Sequence, residues 1–138
     1  MVYKLYKISH KLYMKKIPII PKIIKGIIRV VFAAAIPYEA EIGENTLFGY
    51  GGLGIVIHKN AIIGKNCVVS QNVTIGGAQG SKGVPIIGDN VDIGAGANII
   101  GNVKIGSGAV IGAGAVVISD IPKNAVAVGI PAVVKRIK

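Results

Sequence analysis

Two histidines and one cysteine carry most of the reactive chemistry in this 138-residue chain. An imidazole titrates near neutrality, so it is the side chain best suited to taking a proton from a hydroxyl at physiological pH. His58 follows the Gly-rich stretch FGYGGLGIVI (Phe48 to Ile57), at a place where neighbouring repeats put Gly. It is expected to point outward at a corner, either facing a neighbouring subunit as a proton acceptor or resting as a solvated side chain. His10, in YKISHKLY, reads as a surface residue. Cys67 falls on an inward small position and reads as core. A single cysteine excludes an internal disulfide and fits a reducing compartment. One histidine in the repeat region does not make a three-His site within a subunit, so no metal is expected. Gly49, Gly51 and Gly54 satisfy G-x-G-x-x-G, but no βαβ unit surrounds them. The stretch GGAQGSKG lacks the G-K-[ST] ending of a phosphate loop.

The element that must position these residues is legible as a period. Every sixth residue from Ile57 to Val117 is aliphatic except Ser81: Ile57, Ile63, Val69, Ile75, then Ile87, Ile93, Ile99, Ile105, Ile111 and Val117. Gly follows many of them, and small residues such as Ala61, Cys67, Ala97, Ala109 and Ala115 lie four places on. Six fits neither a helix nor an ordinary strand; it is the mark of a hexapeptide solenoid of short strands and tight corners. Ile42 and Phe48 keep the spacing three residues out of phase, so FGYGGLGIVI holds a small insertion. Ser81 interrupts the period within Gly76 to Pro85, whose Gly, Gln, Ser, Lys and Pro predict a loop thrown out from the coil. The chain therefore divides into residues 1–35 and a repeat domain over 36–138 with a loop at 76–85.

Composition agrees with a thin aliphatic core, being 51% hydrophobic and only 5% aromatic. The net charge of +10 is uneven. Lys4, Lys7, Lys11, Lys15, Lys16, Lys22, Lys25 and Arg29 all lie in residues 1–35, which contain no acid. Leu5, Ile8, Leu12, Ile23, Ile24, Ile27 and Ile28 lie between them, which predicts two basic amphipathic helices broken around Pro18 and Pro21. Such helices either rest on an anionic membrane surface or pack their apolar faces on the coil or a subunit interface. The longest uncharged run ahead of the first acid, Val30 to Tyr38, is too short to span a bilayer, and no cleaved signal is expected. Without interleaved aromatics as stacking platforms, nucleic acid is not an expected partner.

The hexads, the run VTIGG (Val73 to Gly77), the twice-used IGAGA (Ile93 to Ala97, Ile111 to Ala115) and the ending VGIPAVVKRIK (Val128 to Lys138) resemble the hexapeptide acyltransferases. Within them, the chain is similar to the serine acetyltransferase branch and its short relatives that acetylate polysaccharides or sugar precursors. The resemblance covers roughly residue 36 to the end. It implies an all-β solenoid, a left-handed parallel β-helix behind a basic helical segment, assembled as a homotrimer with acetyl-CoA bound between neighbouring coils. Packing thin prisms side by side would also bury more apolar surface. His58, chosen from its residue type and corner and not from a matched family position, would be the base, and Gly76 and Gly77 are candidates for the start of the active-site loop. Gly112, Ala113 and Gly129 would present backbone groups to the pantetheine arm. Lys123, Lys135 and Arg136 would face the phosphates, and Gln71, Asn72, Asp89 and Asp92 the acceptor or His58.

The departures from serine acetyltransferases shape the expected acceptor. Their catalytic His falls here at about Gly51 or Gly52, their supporting Asp near Ala35, and the basic residue and His before the loop proline at Gly83 and Val84. Loss of the loop cation that holds the carboxylate of serine favours a saccharide hydroxyl. The leading expectation is therefore an acetyl-CoA-dependent O-acetyltransferase acting on a saccharide or glycan precursor, cytoplasmic or peripheral at the inner membrane face. The alternatives are a serine O-acetyltransferase of cysteine biosynthesis and a non-catalytic trimeric scaffold.

Overall fold

The structure, a computed structural model, describes residues 1–138. Helices α1 (Val2–Met14) and α2 (Ile20–Phe32) come first. Strands β1 (Glu41–Ile42), β2 (Leu47–Phe48), β3 (Val56–Ile57), β4 (Ile62–Ile63), β5 (Val68–Val69), β6 (Thr74–Gly76) and β7 (Ile86–Ile87) follow. Then come β8 (Asp92–Ile93), β9 (Asn98–Ile100), β10 (Lys104–Ile105), β11 (Val110–Ile111), β12 (Val116–Val117), β13 (Ala125–Val128) and β14 (Val133–Ile137).

Through β12 the strands pair in parallel three apart, and β13 then pairs with β11, so the chain winds round a triangular prism. One face holds β3, β6, β9 and β12, the second β1, β4, β7 and β10, and the third β2, β5, β8, β11 and β13, with β14 closing that edge antiparallel. This is the parallel β-helix that the period predicts, and it fits the left-handed form that the resemblance implies.

The repeat works because one branched residue per strand points inward and stacks on its equivalent in the next turn. Ile57, Ile75, Ile99 and Val117 form one such column, in register through β3, β6, β9 and β12. Ile42, Ile63, Ile87 and Ile105 form the second, and Phe48, Val69, Ile93 and Ile111 the third. The residue before each inward one faces out. Corners need left-handed backbone, supplied by Asn45, Asn66, Asn72, Asn90 and Asn124, which tolerate it better than other non-glycine residues. Polar corners thus have a structural use. Asn72 turns the chain, and the Asp89 carboxylate accepts a bond from the Lys65 N–H at 2.8 Å.

Two irregularities interrupt the winding. Between β2 and β3 the connection is seven residues, 49–55, where the equivalent β5–β6, β8–β9 and β11–β12 connections have four. The three extra residues are the phase shift seen in the period. They form a 3-10 turn over Gly49–Gly52. Gly52 lies against Val2, Ala34 and Ile36, so this turn seats the start of α1. Between β6 and β7, residues 77–85 replace the four-residue corner of β3–β4 and the three-residue corner of β9–β10.

The helices differ in how they use their apolar residues. From α1, Val2, Tyr6 and Ser9 are buried. The Tyr6 hydroxyl donates to the Ala40 carbonyl and accepts the Ile42 N–H at 3.1 Å, tying α1 to β1. His10 is half-buried rather than on the surface: its ring stacks on Tyr6 at 5.5 Å and its Nδ1 lies 2.7 Å from the Tyr38 carbonyl. The structural reason is the return of the chain along the helices after Ala33, which brings Tyr38 over α1. Helix α2 buries Pro21 and Ile28 but leaves Ile20, Ile23, Ile27, Val30 and Val31 exposed. Pro21 lies in the first turn of α2, where its missing N–H costs nothing, so the break falls before it. No helix is long and apolar enough to cross a membrane.

Burial holds the Tyr6 hydroxyl well above its ordinary pKa. A group raised in the folded state supports folding below its unfolded pKa and loses that support as pH rises. Stability is therefore expected to hold to pH ~10 and to fall beyond it as the unfolded chain ionises its tyrosines. Urea midpoints measured from pH 7 to 11 check this, and Tyr6→Phe should flatten the alkaline limb.

Candidate active site

The face carrying β3, β6, β9 and β12 ends in a corner where successive turns place His58, then Gly76 and Gly77, then Gly101. The His58 N–H donates to the Ile75 carbonyl at 2.8 Å and the Gly101 N–H to the Gly76 carbonyl at 2.9 Å, so the three levels are locked in register. The 77–85 excursion leaves at the middle level and folds toward the level below. There Ala78 meets Gly101, and Gly83 lies so close to Asn102 that a Cβ would come within 2.8 Å of it. Gly83 also has φ +95, a backbone region that favours glycine. Pro85 is buried and returns the chain to β7.

A cavity of about 460 Å³ opens between the His58 corner and this loop, lined by His58, Asn60, Gly77, Gln79, Ser81 and Val84, with Ala78 and Gly83 completing it. His58 is half-buried. Its Nδ1 accepts the Asn60 N–H at 3.0 Å. A backbone N–H only donates, so Nδ1 is bare and the neutral ring keeps its proton on Nε2. Asn60 was not legible as a site residue, because no motif marks a residue that works through its backbone. Gln79, Ser81 and Val84 were legible only as parts of a loop.

The other expected residues are distributed as follows. Gly76 and Gly77 stand beside His58, and Gly77 lines the cavity. Gly129 lies lower on the same face, its carbonyl accepting the Val116 N–H at 3.0 Å, and the Ala132 N–H returns to Val116 at 2.8 Å. The VGIPA segment thus extends the His58 face at its far end. Gly112 and Ala113 fall at the opposite edge of that face, in the corner leading from β11 into β12. Gly112 is committed to the coil: its N–H donates to Ala127 at 2.9 Å, its carbonyl accepts Ala115, and a Cβ would meet Val128 at 2.6 Å. It is therefore not free to bind a pantetheine arm through its amide, whereas Ala113 is exposed. Lys135 and Arg136 are exposed on β14, and Lys123 borders a separate groove with Lys104 and Asp120. Ala35 pairs with Val56, two residues before His58, so the place expected of a supporting Asp is beside the site but carries a methyl group. Cys67 is fully buried, and burial raises its thiol pKa, as befits a core residue.

Comparison with known proteins gives this geometry a context. Residues 85–119 match the family described as bacterial transferase hexapeptide (six repeats). Those residues lie within the coil, from the end of the loop through β12. A serine acetyltransferase of Synechococcus elongatus is 37% identical to this chain over 131 residues, 94% of the chain and 53% of that relative. Soybean serine acetyltransferase complexed with serine superposes with a TM-score of 0.90 at 39% identity, over 96% of this chain and 55% of that one. A serine acetyltransferase in complex with CoA gives 0.89 at 33% identity, over 96% of this chain and 55% of that one. The chain thus spans about half the length of the relatives it matches.

These relatives overturn the expectation of a saccharide acceptor, since all of them are named as serine acetyltransferases. The saccharide reading rested on the absence of a loop cation at Gly83 and Val84. Lys82 stands one position earlier, between Ser81 and Gly83, both of which line the cavity.

Proposed function

We propose that this chain is an acetyl-CoA-dependent O-acetyltransferase of the serine acetyltransferase kind, with the hydroxyl of an amino acid such as L-serine as acceptor. The observation that supports it is the superposition of nearly the whole chain on serine acetyltransferases, including a serine complex and a CoA complex, with an open cavity against His58 at the loop. In the reaction the acceptor oxygen bonds to the thioester carbonyl carbon, the C–S bond breaks, and the hydroxyl proton passes through the base to the departing sulfur. His58 is that base. For Nε2 to take the proton, the ring must first place its own on Nδ1 and give up the Asn60 bond. At a corner open to water that exchange costs about 0.5–1.5 kcal/mol, small beside the 10²–10⁴-fold that a positioned base contributes. Gly77 and its neighbours line the thioester end, Gly129 and Ala113 flank the path of the pantetheine arm, and the exposed Lys123, Lys135 and Arg136 are the cations for its phosphates.

Lys82 supplies the positive charge for the acceptor carboxylate. Replacing it with Gln should raise KM for L-serine about tenfold while kcat changes little, as expected when a binding contact made equally in ground and transition states is lost. Equal KM values in the two proteins would remove Lys82 from the acceptor site. Formation of O-acetylserine, followed by mass spectrometry, tests the reading as a whole. A homotrimer is proposed with it. Val56, Ile62, Val68 and Ile86 leave an apolar row across the prism faces that packing of coils would cover.

A further inference from the structure

Helix α2 turns its cations toward the coil, away from its exposed aliphatic stripe. After Ala33, whose φ of +52 reverses the chain, residues 34–38 run back along the helix. Two cavities lie along this gap and share Lys22 in their walls. The larger, about 490 Å³, reaches the end of α1 and the link to α2, and is bordered by Tyr13 and Tyr38 together with Lys16, Ile17 and Pro18. The second, about 280 Å³, lies between Lys25, Arg29 and the strand segment Ala34 and Ala35.

Four cations thus line these two adjoining cavities, and none forms an ion pair. The only ion pair in the molecule joins Lys7 to Glu44, on the other side of α1. No acid precedes Glu39 in the chain, and Glu39 bonds to none of the four. Lys25 instead holds its ammonium 5.6 Å over the Tyr38 ring, and the Tyr13 and Tyr38 rings meet at 5.0 Å. Like charges held along a groove repel one another, and an anion relieves that repulsion. Lys and Arg side chains also match phosphate oxygens well, while the tyrosines and Ile17 offer an apolar wall to whatever the phosphate is attached to. None of these residues borders the His58 cavity, so this site does not depend on the acyl-transfer reading.

We infer that the groove between α2 and residues 34–38 is a binding site for a phosphate-bearing ligand, with Lys16, Lys22, Lys25 and Arg29 on the phosphate and Tyr13 and Tyr38 against its apolar portion. The phosphate can come from a soluble molecule or from a lipid headgroup, and the site offers both the same chemistry.

The full chain reports on its own groove, because it has no Trp and two of its five Tyr line the site. Titrating pyrophosphate at low salt should change tyrosine emission with saturation. The double variant Lys22→Gln, Arg29→Gln should weaken that binding at least tenfold, whereas Lys4→Gln, Lys65→Gln, at exposed residues that line neither the groove nor the His58 cavity, should not. Both pairs are exposed, and circular dichroism with the melting curve confirms that each variant is folded. Sedimentation with phosphatidylglycerol vesicles against phosphatidylcholine vesicles is the second arm. Loss of pyrophosphate binding in the α2 variant alone supports the site with a soluble phosphate as ligand. Binding to phosphatidylglycerol alone, lost in the same variant, supports it with a headgroup as ligand. Affinity for both probes unchanged in the α2 variant, or no binding of either probe to the wild type, overturns it.

Discussion

Replacing Ile93 with Ala lowers the stability of the coil by about 2–5 kcal/mol, with a melting temperature depressed by several degrees or more. Ile93 is completely buried in the middle of a column, between Val69 above and Ile111 below. A prism one side chain wide cannot collapse around the hole, because each turn is pinned to the next by strand hydrogen bonds. The upper part of the range is therefore expected. The neighbouring position is strained in the opposite sense: a Cβ on Gly94 would lie 2.5 Å from the Ala113 amide nitrogen and 2.9 Å from the Gly112 carbonyl carbon. These are backbone atoms of the next turn, so Gly94→Ala forces two coils apart and should destabilise by ~1–3 kcal/mol or more. By contrast, Ile118→Ala, at a residue 59% exposed, should stay within about 0.5 kcal/mol. Urea denaturation of the three variants separates a coil held by its columns from one held by its surface.

The second large effect is on turnover. His58→Ala should reduce kcat by about 10²-fold or more while the protein keeps its melting temperature, since the ring is half-buried at a corner and its one side-chain bond is to an exposed amide. His58→Gln sharpens the test. Gln retains an N–H donor but has no basic nitrogen, so it recovers activity if His58 only donates a hydrogen bond and fails to recover it if His58 takes the proton. Failure is the expected result.

The coil was legible because its contacts repeat. Ile57 meets Ile75 and Ile75 meets Ile99 in successive turns, so one local pattern is written again at each level and even the three-residue slip before Ile57 can be counted. The amphipathic helices were legible for the same reason, as short-range periodicity. What escaped is what depends on a single return of the chain. His10 reads as exposed until residues 34–38 fold back and place Tyr38 over it, and the cation groove exists only because of the same return. His58 was singled out from its residue type and its corner, but its hydrogen-bond partner is a backbone amide, for which Asn60 carries no signal. Gly112 looked like its counterparts in the IGAGA repeat, and only the packing of Val128 against it shows that it serves the coil. The saccharide acceptor, which relatives named as serine acetyltransferases overturn, was read from Gly83 and Val84 alone, and Lys82 one position earlier was passed over.

The central claim is that the corner holding His58 transfers an acetyl group to a serine-like hydroxyl. Its most direct test is the initial rate of CoA release from acetyl-CoA as a function of L-serine, for the wild type and His58→Ala at equal folded concentration. The account predicts saturable serine-dependent release by the wild type and a fall of about 10²-fold or more in the variant. Release that does not rise with L-serine, or that is the same in both proteins, would contradict it.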